Sequence, residues 1–184
     1  GGQVYYWSPG MAAAGGRQVI DLAAFFRSLA VLGCLLPAIM ATKVSVVTGA
    51  NKGIGLHIAQ QLIAAKHDVI VACRDKARGE DAAKQLGCRS AVLDISSSAS
   101  VNHFAEQMAR EHGHIDVLVN NAAIAFKSAD PTPFAEQTRP TIATNFEGTV
   151  SVTEALLPLL RKAPSPRIVN VASMAGGPRA RSPP

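Results

Sequence analysis

The stretch TGANKGIG (48–55) decides the fold of this chain. It follows KVSVVT (43–48), a β-branched run that predicts a short strand, and it leads into a run in which Ile54, Ile58 and Leu62 recur at helical spacing. Glycines in such a turn let the backbone bend sharply and approach an anion, while the helix directs free N–H groups and the positive end of its dipole at the same point. The sequence therefore predicts a strand, an anion-binding turn and a helix, in that order.

Strand and helix patterns alternate through the rest of the chain. The predicted elements are a strand DVIVAC (68–73), a polar helix 76–86 closed by Gly87, a strand SAVLD (90–94), a helix capped by Ser98 or Ser100 and ending at Gly113, a strand IDVLVN (115–120), a helix 136–162 and a strand RIVNVAS (167–173). Continuous apolar runs such as 68–73 are typical of strands that are buried on both faces of a parallel sheet.

The helix predicted over 136–162 has one apolar stripe, which is expected to face the core. The stripe consists of Ile142, Phe146, Val150, Thr153, Leu157 and Leu160. Pro140 suits the first turn of this helix, whereas Pro158 is expected to bend or shorten its last turns.

Strands that alternate with helices of about ten residues or more predict right-handed crossovers and a parallel sheet. The expected fold class is α/β, a doubly wound, Rossmann-like parallel sheet with the strand order 3-2-1-4-5. Its ligand crevice should lie at the carboxyl ends of strands one and four, where the winding reverses. Nothing resembling a strand follows residue 173, so we expect a domain that is truncated at its carboxyl end.

The glycine spacing and four further motifs resemble those of the short-chain dehydrogenase/reductase family. The further motifs are LDI (93–95) after the third strand, NNAA (120–123) with Ala123 in place of the family's usual glycine, TNFEGT (144–149) around Asn145, and VNVAS (169–173) ending at Ser173. The match looks closest to the monomeric carbonyl reductases, because the chain also carries CRDKARG (73–79) and NNAAIAFKSADPTPF (120–134).

The resemblance implies a nicotinamide dinucleotide site and a catalytic set. The implied cofactor-binding residues are Gly49, Asn51, Lys52, Gly53, Ile54, Gly55, Asp94, Ile95 and Asn121, with Asp94 at the adenine. Ser173 is implied to hold the substrate carbonyl, and Asn145 is implied to order a water relay. The family's Tyr-x-x-x-Lys pair has no counterpart in the sequence, whose two tyrosines are Tyr5 and Tyr6.

The end of the second strand indicates which dinucleotide is preferred. Members of the family that are specific for NAD place an acid there, whereas this chain has Arg74. An arginine can make a two-pronged contact with a 2′-phosphate, and Lys52 and Arg78 would add further positive charge. Asp75 is expected to turn away from the site. The alternative is that Arg74 is a solvated loop residue, and NADPH is the favoured cofactor.

The net charge of +5 does not indicate a nucleic-acid partner. Residues 161–184 hold five basic residues and no acid, so the excess lies in a terminal segment beside Pro and Gly and favours a solvated tail. Three cysteines without a CxxC pair argue against a disulfide framework or a structural zinc site, and no metal is expected. His112 and His114 are expected at the surface near a helix end.

Residues 1–39 look foreign to the rest of the chain. They begin Gly-Gly, and Met11 and Met40 are both candidate starts. The segment is interpreted either as a gene-model artefact or as a targeting leader, and its apolar run 28–41 is shorter than the ~20 residues that span a bilayer. The expected organisation is a leader over 1–39, an NADP-binding domain over 40–175 and a basic Pro/Gly-rich tail over 176–184. We expect a cytoplasmic protein, or an organellar one if the leader is genuine.

Together these residues predict NADPH-dependent reduction of a carbonyl group in a ketone, an aldehyde or a quinone. Two alternatives stay open: a non-catalytic NADP-binding fragment, and a reductase anchored to a membrane by residues 19–41. A chain of these 184 residues is expected to be inactive by itself, because Ser173 would have no proton donor beside it. The partner is a small carbonyl substrate, and the complete protein is expected to be a monomer.

Overall fold

The computed structural model describes residues 42–126 and 129–172, all of which belong to the unit Thr42–Pro184. The predicted domain boundaries after residues 39 and 175 lie outside the described residues and stay predictions. The strands are β1 (Val44–Thr48), β2 (Asp68–Cys73), β3 (Arg89–Val92), β4 (Val117–Asn120) and β5 (Arg167–Asn170). The helical elements are α1 (Gly53–Ala64), α2 (Lys76–Leu86), α3 (Ser98–Glu111), α4 (Phe134–Ile142), a π-helical turn (Ala143–Gly148) and α5 (Thr149–Leu160).

The five strands form one parallel sheet in the order β3-β2-β1-β4-β5. β1 lies in the middle, where Val46 is opposite Ile70 of β2 and Leu118 of β4. The chain moves outward from β1 to β3 and then returns to the other side of β1 with β4, so the winding reverses between these two central strands. The predicted α/β fold class and strand order are confirmed.

Helices cover both faces of the sheet, and each face has its own core. On one face Val46 packs in a cluster with Phe104 of α3 and Leu156 of α5. On the other face Val47 packs in a cluster with Ala59 of α1 and with α2. Burying a Val, Leu or Phe side chain contributes about 1.5–3 kcal/mol, which explains why the strands read as continuous apolar runs.

Three strands and one helix cap differ from the boundaries predicted from sequence. β3 is Arg89–Val92 rather than 90–94, and β4 begins at Val117 rather than at residue 115. β5 ends at Asn170, because it pairs in register with β4 and β4 also ends there. Helix α3 is capped by Ser97, whose Oγ accepts the Ser100 N–H at 3.3 Å, and not by Ser98 or Ser100.

The single helix predicted over 136–162 is three consecutive helical segments. The chain is helical from Phe134 to Leu160, but the six residues Ala143–Gly148 form a π-helical turn. Pro140 lies inside α4 rather than in its first turn, so one backbone hydrogen bond is missing directly before the π-helical turn. Pro158 lies in the last turn of α5, which ends at Leu160.

The predicted apolar stripe of this helix is wrong in its first half. Ile142 is 47% exposed and Phe146 is 65% exposed. The buried residues of α5 are Val152, Leu156, Leu159 and Leu160. A π-helical turn changes the angular spacing of side chains, so residues before and after it do not lie on one stripe of period 3.6.

Of the two histidines predicted at the surface, one is buried and one is exposed. The prediction that His112 lies at the surface is wrong, because its side chain is 4% exposed and lies near Asp68 and Glu111. His114 is 39% exposed, as expected for a surface side chain.

Within residues 42–126 and 129–172, no helix is long and apolar enough to cross a membrane.

Candidate functional site

A cleft of about 720 Å³ lies at the carboxyl ends of β1, β2 and β4. It is lined by every residue that the sequence predicts to bind a cofactor: Gly49, Asn51, Lys52, Gly53, Ile54, Gly55, Arg74, Arg78, Asp94, Ile95 and Asn121. It is also lined by residues that were not predicted, namely Cys73, Asp75, Leu93, Ser96, the run 122–125 and Thr144. The predicted set is thus brought together in one place, at the crevice expected for this strand order.

The turn after β1 leaves no room for larger residues. Gly49 has φ = 65°, and a Cβ atom placed on it would lie 2.9 Å from the Cα atom of Ala122. A Cβ atom on Gly55 would lie 2.7 Å from the carbonyl oxygen of Gly49. These two glycines allow the turn to pack directly against the chain that follows β4.

The amino end of α1 opens into the cleft. Helix α1 begins at Gly53, and no side chain caps it from Lys52. Its first turn contains no acidic residue. The first N–H groups of this helix and the positive end of its dipole therefore remain available to a phosphate group.

Thr48 and Asn121 fasten the β1 turn to the end of β4. The Thr48 Oγ1 atom accepts the N–H groups of Asn121 and Ala122, both at 3.0 Å, and donates to the Val119 carbonyl at 3.3 Å. The Asn121 Nδ2 atom donates to the Thr48 carbonyl at 2.9 Å. Sequence reasoning missed Thr48, although a threonine that ends a buried strand directly before a glycine turn is the signal that would have identified it.

Three basic side chains and one acid line the cleft near the end of β2. Lys52, Arg74 and Arg78 line it, and Lys52 and Arg78 also line an adjoining shallow groove of about 360 Å³. Asp75 is also among the residues that line the cleft, while its predicted orientation away from the site stays a prediction. Its Oδ1 atom accepts the Arg78 N–H at 3.0 Å as the cap of α2, and its Oδ2 atom lies 3.3 Å from the Arg78 Nε atom.

Asp94 lies beyond the end of β3 in a turn that keeps it ionised. Its Oδ1 atom accepts the Ser96 hydroxyl at 2.6 Å and the Ser96 N–H at 3.0 Å. These hydrogen bonds, with a smaller contribution from the Arg74 charge, hold the pKa of Asp94 below its ordinary value. The adenine end of the predicted site therefore presents a fixed carboxylate beside Ile95 and Ser96.

Of the two residues predicted to be catalytic, the structure describes Asn145 but not Ser173. Asn145 lies in the π-helical turn, where its Oδ1 atom accepts the Ile124 N–H and its Nδ2 atom donates to the Ile124 carbonyl, both at 2.8 Å. These bonds fasten the helix to the loop after β4, beside Thr144 in the wall of the cleft. Ser173 lies outside the described residues. The catalytic roles of both stay predictions.

Comparison with curated proteins finds carbonyl reductases among the relatives of this chain. The chain is 46% identical over 138 residues to carbonyl reductase (NADPH) 1 of Macaca fascicularis, covering 72% of this chain and 49% of that protein. It is 46% identical over 137 residues to carbonyl reductase (NADPH) 1 of Homo sapiens, covering 71% and 49%. It is 43% identical over 141 residues to carbonyl reductase (NADPH) 3 of Rattus norvegicus, covering 73% and 50%. The chain spans about half the length of these relatives.

Solved structures and a family model agree with this result. The RhlG/NADP active-site complex of Pseudomonas aeruginosa superposes with a TM-score of 0.68 at 31% identity, covering 73% of this chain and 56% of that one. Menthone neomenthol reductase from Mentha piperita gives a TM-score of 0.66 at 32% identity, covering 73% and 61%. The model of the short chain dehydrogenase family matches residues 43–182. The fold, the strand order and this family match over most of the chain show that the chain belongs to the short chain dehydrogenase family.

Proposed function

We propose that this chain binds NADPH and supplies the cofactor-binding half of an oxidoreductase that reduces the carbonyl group of a ketone, an aldehyde or a quinone. The observation that carries the proposal is the group of basic side chains Lys52, Arg74 and Arg78 in one cleft with the open amino end of α1. The names of the curated relatives, which are NADPH-dependent carbonyl reductases, support the same reading.

The shape and charge of the cleft fit a dinucleotide that carries three phosphates. The amino end of α1 suits the pyrophosphate, because Gly49 and Gly55 let the backbone come close and no acid lies in the first helical turn. Asp94 and Ile95 suit the adenine end, since both line the cleft beyond β3. The remaining phosphate, on the adenosine ribose, would lie among the basic residues at the end of β2.

Selection of NADPH over NADH rests on Arg74 in this proposal. Within the part of the chain that the structure describes, Arg74 takes part in no ion pair, whereas Arg78 is held by Asp75. A guanidinium that contacts a phosphate through charge-assisted hydrogen bonds contributes about 1.5–3 kcal/mol to its binding, or roughly a factor of ten or more in affinity. NADH offers a hydroxyl at the same place and would gain less.

The chain's own residues would prepare the carbonyl for reduction. The chemistry that the cofactor supplies when bound is hydride donation from its nicotinamide ring. Ser173 is proposed to donate a hydrogen bond to the carbonyl oxygen. Asn145 is proposed to hold the Ile124 segment in place, and the Oδ1 acceptor site that Ile124 leaves free could order a relay water.

A second candidate function is NADPH binding without catalysis by a polypeptide of these 184 residues. Its tyrosines are Tyr5 and Tyr6, and neither has a lysine four positions later. Without a positioned proton donor, reduction should be slower by a factor of about 10²–10⁴. We expect no measurable NADPH oxidation when this polypeptide is mixed with a reactive quinone. Turnover at an ordinary enzyme rate would show that another group donates the proton.

The variant Arg74→Ala tests the proposed cofactor preference. We expect the affinity for NADPH to fall about tenfold and the affinity for NADH to stay nearly unchanged, because the lost hydrogen bonds are made to the 2′-phosphate alone. Arg110→Ala is the matched control, since Arg110 lies on α3, pairs with Glu106 at 3.9 Å and does not line the cleft. An equal fall for both nucleotides would contradict the role given to Arg74.

A further inference from the structure

Asp75 and Arg78 form one structural unit at the start of α2. Asp75 is the cap of this helix, and its Oδ1 atom accepts the Arg78 N–H at 3.0 Å. The other carboxylate oxygen lies 3.3 Å from the Nε atom of the same arginine. One carboxylate therefore fixes both the backbone and the side chain of Arg78.

The pairing occupies only part of the arginine. A guanidinium has five N–H donors, and the ion-pair contact with Asp75 lies on its Nε side, with Oδ2 3.3 Å from Nε. The two terminal nitrogen atoms keep their donors for another acceptor. Because Arg78 lines the cleft as well as the groove that it shares with Lys52, that acceptor can be an anion held in the cleft.

Holding the side chain in advance is useful to a site that binds phosphate. The Arg78 side chain is 68% exposed. Within the described residues, its one ion pair is the contact with Asp75. A long flexible side chain loses rotamer freedom when it binds a ligand, and a partner that restricts it beforehand lowers that cost. An exposed ion pair is worth little to overall stability, so the value of this one lies in the orientation that it imposes.

From this geometry we infer that Asp75 is a positioning residue for the ribose 2′-phosphate of NADPH: it orients the Arg78 guanidinium toward the cleft and so contributes to cofactor selection. The inference rests on the proposed NADPH binding. An acid at the end of β2 usually disfavours binding of the 2′-phosphate. In this inference Asp75 favours it instead. Here the carboxylate is neutralised by Arg78 and by the amino end of α2, and its influence passes through Arg78.

The rival reading is that Asp75 only caps α2 and adds a negative charge near the phosphate. The two readings differ in sign and in their dependence on Arg78. If only charge matters, Asp75→Asn removes a repulsion and strengthens NADPH binding whether or not Arg78 is present. If Asp75 positions Arg78, the same substitution weakens NADPH binding when Arg78 is present and loses that effect when Arg78 is absent.

The experiment is a double-mutant cycle on the full chain, with dissociation constants for NADPH and NADH measured by calorimetry. Asp75→Asn keeps an oxygen that can cap α2, and Asp75→Ser is a second variant with a good capping side chain and no charge. In the chain with Arg78 we expect both variants to lower the preference for NADPH over NADH by about two- to fivefold, the range of an exposed ion pair. In the Arg78→Ala chain we expect the same variants to leave the preference unchanged or to raise it.

Glu80→Gln is the matched control for charge. Glu80 lies on the same helix in an exposed pair with Lys76 at 3.8 Å, and it does not line the cleft. Its loss should change the preference equally with and without Arg78. A rise in NADPH preference on Asp75→Asn, or the same change in both backgrounds, overturns the inference. A wild-type chain without any preference for NADPH contradicts the proposed function itself, which separates that failure from a failure of the inference.

Discussion

Gly49 and Gly55 show what can be predicted at the scale of single residues. The sequence predicts that small residues are needed between β1 and α1, because a tight turn followed by a helix must approach an anion there. It does not predict that the space beside these glycines is filled by Ala122 and by Asn121, more than sixty positions later. Contacts of that kind depend on the register of two strands, which no local pattern contains.

Gly55→Ala is expected to damage both the fold and the cofactor site. The added methyl group would lie 2.7 Å from the Gly49 carbonyl oxygen and would collide with the Asn121 amide. Overpacking of this kind costs about 1–3 kcal/mol of unfolding free energy, and the displaced turn should weaken NADPH binding about tenfold or more. Urea unfolding and a nucleotide titration measure the two effects.

Gly87→Ala is the control for that substitution. Gly87 has φ = 68°, and a Cβ atom there would meet nothing within 4 Å. Backbone strain alone should cost about 1–2 kcal/mol of stability, with no change in NADPH affinity because this residue does not line the cleft. The account of the turn would be wrong if Gly55→Ala left NADPH affinity as unchanged as Gly87→Ala does.

Asp75 marks the limit of prediction for charged residues. Asp75 directly follows Arg74 and is one of the residues that line the cleft. What makes it compatible with a phosphate site is its pairing with Arg78 and its role as a helix cap, and both depend on where α2 begins. The start of α2 at Lys76 was predicted, but the sequence pattern does not show that the Asp75 carboxylate pairs with the Arg78 side chain.

At the scale of the elements, periodicity predicts helices well and fails where the helical repeat changes. The position and ends of α2 agree with the prediction, because a capping acid and a glycine with φ = 68° bound it. The long helix between residues 134 and 160 contains the π-helical turn, and the stripe read through it named exposed residues such as Phe146. Asn145, whose side chain bonds to the Ile124 backbone, lies in that turn.

Gly148 lets the π-helical turn pack closely against Ile95, at the proposed adenine end of the cleft. A Cβ atom on Gly148 would lie 2.6 Å from the carbonyl oxygen of Ile95, which lines the cleft. Gly148→Ala should therefore cost about 1–3 kcal/mol of stability and lower the affinity for NADPH, because Ile95 must move. The affinity for the adenine half alone, measured with adenosine 2′,5′-bisphosphate, should fall by the same factor as the affinity for NADPH.

Gly113→Ala is the matched control for Gly148. It has φ = 73° with open space at the Cβ position, so it tests strain without a clash. We expect a loss of stability of about 1–2 kcal/mol and unchanged binding of both nucleotides. If Gly148→Ala also left both affinities unchanged, the contact with Ile95 would have no bearing on the cofactor site.

At the scale of the whole molecule, the sheet is the part most fully predicted from sequence. Its order follows from alternating elements and right-handed crossovers, and the crevice follows from the reversal of winding beside β1. At the β5 edge of the sheet Ile168 is 42% exposed and Val169 is 46% exposed, although both continue an apolar run. An apolar run indicates a strand but not how many layers cover it.

The central claim is that this molecule has a cleft that selects NADPH, and a calorimetric titration of the 184-residue chain with NADPH and with NADH tests it most directly. The account predicts that NADPH binds about tenfold or more tightly than NADH, because the basic side chains at the end of β2 gain charge-assisted hydrogen bonds to the 2′-phosphate alone. Equal affinities for the two nucleotides, or no binding of either, would contradict it.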